Sequence, residues 1–175
     1  MKYGNVIDRV KKPFNPLKGE TYEYQDDKFK MIIEQVSHHP PIHCYHAESE
    51  NFIFSGFIDV KLVFSLKGFA LKPIGQKKLY IKKYDEFYDF DYPDSSIHNF
   101  IIGKPYIWHN GKMSAKNTKN GITAEIKFHE KGWTSKNDYK VSGFVRDQNG
   151  NQIMKISGFW NSHLNVVDLR DQKEY

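Results

Sequence analysis

The sequence predicts an all-β protein, an antiparallel meander that closes or nearly closes into a β-barrel around an apolar tunnel. Two observations carry this expectation. Runs rich in β-branched and aromatic residues alternate apolar with polar along most of the chain. Between them stand short turn signals, among them three Asn-Gly pairs, the dipeptide that best satisfies the positive φ values of a two-residue hairpin. Strands so regular must hide their edges, and closing the sheet removes them. A sandwich with a filled core is the alternative that the same pattern allows.

Taken in order, the strand candidates are Phe29–Val36, His43–Glu48, Phe52–Phe64, Lys78–Tyr84, Phe100–Trp108, Gly121–Phe128, Asp138–Arg146 and Gln152–Trp160. The turns fall at Glu50-Asn51, Leu66-Lys-Gly68, His109-Asn-Gly-Lys112, Lys119-Asn-Gly121 and Gln148-Asn-Gly-Asn151. In the run of Ile122, Ala124, Ile126 and Phe128, one face is apolar, while Thr123, Glu125 and Lys127 make the other polar. Such a sheet can enclose a cavity for an apolar ligand. Lys82–Asn99, rich in Tyr, Asp and Phe, reads as a strand with a long loop whose tip is Pro93-Asp-Ser-Ser96. Helical periodicity is weak everywhere, and the last dozen residues come nearest to it.

At 175 residues the chain suits one domain, 1–175, with a full core or one large piece of a bigger domain. Lys and Arg number 26 against 21 Asp and Glu, a net charge of +5. That balance favours anionic partners without the blocks of like charge typical of nucleic-acid tails, so no nucleic acid is expected. A single cysteine, Cys44, rules out an internal disulfide framework and fits a reducing compartment. No apolar run approaches the roughly 20 residues of a membrane-crossing helix. The expectation is a cytoplasmic protein that meets membranes at their surface.

Two stretches stand apart from generic strand sequence. In Lys11-Lys-Pro-Phe-Asn-Pro-Leu-Lys-Gly-Glu20, two prolines and Gly19 impose an extended, turning backbone that presents Lys12, Asn15 and Glu20. In Glu34-Gln-Val-Ser-His-His-Pro-Pro41, a strand runs into paired prolines that end ladder pairing and hold two imidazoles in a loop. Adjacent histidines so held can bind a metal, transfer protons or bind an anion. For a metal, His43 and His46 would have to join His38 and His39, yet those two fall on opposite faces of a strand, and no zinc spacing is present, so no metal is expected. For catalysis, Ser37 lacks a nucleophile-elbow context, and neither an enzyme nor a cofactor is expected. Anion binding needs only two donors that become cationic near neutral pH and a lysine close by, a role open to His38, His39 and Lys12 or Lys11, with Asn15 adding an amide donor. The plainer alternative is a pair of hydrogen-bonded turn residues.

Glu34-Gln-Val-Ser-His-His-Pro-Pro41 resembles the fingerprint of the oxysterol-binding-protein-related lipid-transfer family. Lys12-Pro-Phe-Asn-Pro-Leu-Lys-Gly-Glu20 is similar to that family's upstream motif, as are Ile102-Gly-Lys-Pro105, Ala124-Glu-Ile-Lys-Phe128 with Gly132-Trp133, and Ile156-Ser-Gly-Phe-Trp160. The resemblance covers about residues 9 to 170. It implies a β-barrel whose tunnel takes a sterol or another lipid and whose mouth recognises phosphatidylinositol 4-phosphate, exchanged between membranes. By position, His38 and His39 would bind the 4-phosphate, Lys12 and Asn15 would contact the headgroup, and Glu20 would orient the lysine. The partners implied are lipids and a transient membrane surface, at membranes or membrane contact sites.

The family's domains are longer, with an N-terminal lid and a C-terminal subdomain for which this sequence offers little or no counterpart. An open tunnel would hold lipid less tightly, bind a different one, or be closed by self-association with a second copy. A phosphoinositide-sensing module that docks on membranes without extracting lipid is the alternative function.

Overall fold

Strands joined by connections too short for a crossover pair antiparallel. A computed structural model of the chain, which describes residues 14–65, 68–99, 103–132 and 138–175, has this arrangement. Its strands are β1 (Thr21–Gln25), β2 (Phe29–His38), β3 (Pro41–Ser49), β4 (Phe52–Ser65), β5 (Gly68–Ile74), β6 (Lys77–Ile81) and β7 (Glu86–Phe90). They continue with β8 (Asp94–His98), β9 (Tyr106–Asn117), β10 (Thr123–Phe128), β11 (Lys140–Arg146), β12 (Gln152–Phe159) and β13 (Leu164–Asp168). All thirteen belong to one antiparallel sheet, with β1 and β13 at the ends of its hydrogen-bonded order. Among the described residues the sole helical element is a 3₁₀ turn at Lys82–Tyr84, and no helix is long and apolar enough to cross a membrane.

Two of the meander's long strands are interrupted. β5 and β6 lie end to end along β4: Ser65 faces Gly68 and Asp59 faces Ile74, then Gly56 faces Lys77 and Phe52 faces Ile81. β7 and β8 lie end to end along β9 in the same way, with Phe90 opposite Ala115 and Asp94 opposite Asn110. The break between β7 and β8 contains buried Pro93, which has no N–H for a ladder. Asp91 bridges the break to β9, its carboxylate accepting from the backbone N–H and the hydroxyl of Ser114.

The segment 82–99 is therefore two strands rather than a strand and a loop, and Asp94–Ser96 pairs with β5 and β9 instead of forming a tip. Asn110-Gly111 is not a turn either. It lies within β9, where Gly111 has φ 82°, a value that glycine adopts in a bulge. The pairs Asn120-Gly121 and Asn149-Gly150 do sit in turns, after β9 and after β11, and Glu50-Asn51 joins β3 to β4. The C-terminal stretch is β13 with a returning turn. Of the predicted turn at Leu66-Lys-Gly68 and the strand from Phe100, residues 66–67 and 100–102 lie outside the described residues.

Register assembles one apolar face from many strands. Ala124 stands between Ala115 and Val145, Ile126 between Met113 and Gly143, and Phe128 between Gly111 and Val141. The other face carries Glu125, whose carboxylate meets Lys112 Nζ at 3.0 Å. Across the sheet the same apolar face continues through Ile33, Tyr45, Gly56 and Lys77 in one row and Met31, Ala47, Phe54 and Leu79 in the next.

The best-buried packing lies at one end, where Phe128, Val141 and Trp160 form a cluster with Met113, Ile126 and Tyr139 against it. Trp108 stacks on Tyr139 at 4.8 Å, meets Trp160 edge-on at 6.1 Å and donates its indole N–H to the carbonyl of His129. Trp108 and Trp160 are thus packing residues; Trp133 lies outside the described residues. Trp160→Ala is expected to cost about 3–5 kcal/mol in a urea titration. Phe64→Ala, at a side chain 78% exposed, should stay within about 0.5 kcal/mol; equal losses would put the core elsewhere.

Candidate anion-binding site

The site is built at the end of the β2–β3 hairpin. In a regular strand, residues three apart lie on opposite faces. Here the pairing slips: Gln35 faces His43, but Ser37 faces Ile42 and His38 faces Pro41, leaving Val36 as an extra residue. The bulge resets the alternation and puts Gln35 and His38 on the apolar face, with Ser37 on the other. Gln35 is 2% exposed. Its Nε2 lies 3.0 Å from His38 Nδ1, while its Oε1 is buried without a hydrogen-bond partner among the described residues. His38-His39-Pro40-Pro41 closes the hairpin, with a cis bond at His39–Pro40. Both imidazoles are exposed and their ring centres are 4.5 Å apart.

The upstream motif docks on the same residue. Gly19 N donates to the Gln35 carbonyl at 2.7 Å, and Gln35 N donates to the Glu20 carbonyl at 3.3 Å. Leu17–Glu20 is a turn closed by Glu20 N on the Leu17 carbonyl at 3.0 Å. Gly19, at φ 82°, occupies the third position, where such a turn needs positive φ. The Glu20 carboxylate accepts from Leu17 N at 2.6 Å, so it shapes the loop itself. Asn15 is exposed on this loop. Lys12 lies outside the described residues. The structure therefore brings His38 and His39 together and ties the Asn15–Glu20 segment to the strand that carries them.

Sequence reasoning gave no role to Gln35, because its contact with His38 depends on the bulge. It also missed Lys77, which a lysine's usual preference for water would place outside. Lys77 is 2% exposed on the apolar face; Nζ donates to the Gly75 carbonyl at 3.2 Å and lies 4.6 Å from the centre of the Tyr92 ring. Burial pulls its pKa below the ordinary lysine value. Around it Tyr45, Phe54, Phe90 and Tyr92 form an aromatic run with ring separations of 4.8, 5.6 and 5.9 Å. Burial raises the pKa of the Tyr45 hydroxyl. Among the described residues no group of three or more His, Cys, Asp or Glu could hold a metal ion.

A proline-locked imidazole pair next to a glycine-proline loop is the geometry that the fingerprint motifs imply, and comparison with known proteins gives the family. The oxysterol-binding protein family model matches residues 2–175. The chain belongs to the oxysterol-binding protein family. Human oxysterol-binding protein-related protein 1 is 39% identical over 165 residues, 92% of this chain and 17% of that protein. Among solved structures, the Osh1 ORD domain in complex with ergosterol superposes with a TM-score of 0.87 at 30% identity, covering 99% of this chain and 43% of that one. The Saccharomyces cerevisiae Osh3 ORD, crystallised with PI(4)P, shares the fold at a TM-score of 0.79 and 24% identity, covering 93% and 44%. The chain thus spans less than half the length of each of these relatives.

Glu20→Ala should release the Leu17 amide and loosen the loop, costing about 1 kcal/mol or less at this exposed position. Faster hydrogen exchange at Leu17, with the Phe128 and Val141 amides unchanged, is the expected readout. Unchanged exchange at Leu17 would show that the backbone bonds to Gln35 suffice.

Proposed function

We propose that this oxysterol-binding protein family member binds and transfers lipid between membranes, recognising phosphatidylinositol 4-phosphate at His38 and His39 and taking a sterol or another lipid on its apolar face. The observation that carries this reading is the convergence of both fingerprint motifs on Gln35, which sets the Asn15–Glu20 loop beside the strand ending in His38 and His39. Two exposed imidazoles 4.5 Å apart are suited to a dianionic phosphate, since protonated rings donate charge-assisted hydrogen bonds to it. Lys12 and Asn15 contact the headgroup, and Glu20 supports them by shaping the loop. The run of Tyr45, Phe54, Phe90 and Tyr92 offers apolar surface for a lipid body, and the sterol complex of the Osh1 domain supports a sterol as the second ligand. Chemistry of this kind requires no covalent step, cofactor or metal. Residues 1–175 act in it as the core of one lipid-binding domain, peripheral at cytoplasmic membrane surfaces, to which the net charge of +5 draws it when they are anionic.

The deciding experiment mixes the chain with liposomes carrying labelled phosphatidylinositol 4-phosphate, against a His38→Ala/His39→Ala variant. A soluble protein–lipid complex from the native chain alone is expected. Docking on the liposomes without extraction would favour a phosphoinositide sensor, and equal behaviour of the two proteins would remove the histidines from the site.

Two further outcomes follow from the same chemistry. Headgroup affinity should be higher in acidic than in alkaline buffer, because an imidazolium donates to a phosphate more strongly than a neutral ring does; a flat or rising profile would contradict charge-assisted binding. Lys12→Ala should weaken phosphoinositide binding about fivefold to twentyfold and sterol binding little, whereas equal losses would indicate misfolding.

A further inference from the structure

Gln35 is an amide whose burial brings the fold little. Its backbone already makes the strand and loop bonds that its position requires, its Oε1 is buried without a hydrogen-bond partner among the described residues, and an orphaned buried acceptor opposes folding. An apolar side chain of the same length would suit this 2% exposed site better. What the amide does accomplish among the described residues is one hydrogen bond, Nε2 to His38 Nδ1 at 3.0 Å, made across a bulge that places both residues on one face.

A hydrogen-bond donor at Nδ1 has a definite effect on an imidazole. It occupies the Nδ1 lone pair, so the proton of the neutral ring resides on Nε2. We infer that Gln35 is a positioning residue for anion binding: it holds the His38 ring with Nε2–H outward, so that His38 donates to a phosphate even when the ring is neutral. This inference rests on the headgroup reading for its ligand, but the hold on the ring belongs to the free protein.

The groups that bear on His38 are few among the described residues. His39 lies beside it at 4.5 Å. On β3, Pro41 faces it and His43 faces Gln35. Glu34 is on β2 next to Gln35, and the Glu20 carboxylate is engaged by Leu17 N. None of these replaces the amide at Nδ1, so a change at position 35 alters what that nitrogen meets.

Two measurements test the inference. The first is the histidine ¹⁵N spectrum of the free, full-length chain above neutral pH, assigned with a His38→Gln variant. The Nε2–H tautomer with an accepting Nδ1 is expected, giving way to mixed tautomers in Gln35→Met; a native Nδ1–H tautomer would overturn the proposal. The second is binding of inositol 1,4-bisphosphate across about pH 5.5 to 8.5 by the native chain, Gln35→Met and Gln35→Glu. Gln35→Met should keep or raise the thermal midpoint yet bind about threefold to tenfold more weakly at the alkaline end. In Gln35→Glu, a carboxylate at Nδ1 favours the imidazolium, so the midpoint of the binding profile should move up by about one pH unit.

Identical profiles in folded variants would overturn the positioning role. If Gln35→Met fails to fold, the native spectrum and the glutamate variant still decide. Absence of inositol bisphosphate binding by the native chain, with the expected tautomer in its spectrum, would instead overturn the headgroup reading and leave the hold on His38 standing.

Discussion

A strand can present Gln35 and His38 on one face only if its two-residue alternation is broken between them, and the extra residue Val36 breaks it. Much of the candidate site depends on that irregularity. Without it the imidazole of His38 would turn to the face that carries Glu125 and Lys112 elsewhere in the sheet, away from the aromatic run, and the Gln35 amide would have no ring to meet. The same residue receives the upstream loop through its backbone. One position thus joins two motifs that are separated in sequence, by main chain on one side and side chain on the other.

The apolar face shows what the sheet has been shaped to do and at what cost. A face built only for burial would carry apolar side chains, as the cluster of Phe128, Val141 and Trp160 does. Farther across, it carries tyrosines and a lysine whose ammonium meets a carbonyl and an aromatic ring. Removing such groups from water is unfavourable, and their partners offset that only in part. Polar groups set into an apolar surface are the means by which a site distinguishes one amphiphile from another.

Much of the fold was legible because period-2 alternation and turn chemistry are local signals. β2, β3, β4, β10, β11 and β12 appear close to where the pattern places them, and Ala124, Ile126 and Phe128 share the expected face. What escaped depends on non-local facts. β7 and β8 are short and broken at Asp91–Pro93, and their pairing with β5, β6 and β9 turns a loop-like composition into sheet. Asn110-Gly111 has the chemistry of a turn but sits in β9, between β8 and β10, where the partners on both sides keep the strand extended. At the site, the motifs named His38, His39, Asn15 and Glu20, but the slip in register that recruits Gln35 leaves no mark in composition.

Most strands of the meander find their partners beside them in the chain, with β4–β6, β5–β8 and β7–β9 as the exceptions, and this bears on how the molecule assembles. Most pairings join consecutive strands, and pairing between sequence neighbours is associated with faster folding than long-range pairing. Cohesion then resembles that of a stacked array, in which each unit leans on its two neighbours rather than on a shared centre. Among the described strands β1 and β13 each have one strand neighbour, and the outer edge of β13 is met by the returning Lys173–Tyr175, so β1 is the unit that such an array can shed with the least disturbance to the described rest.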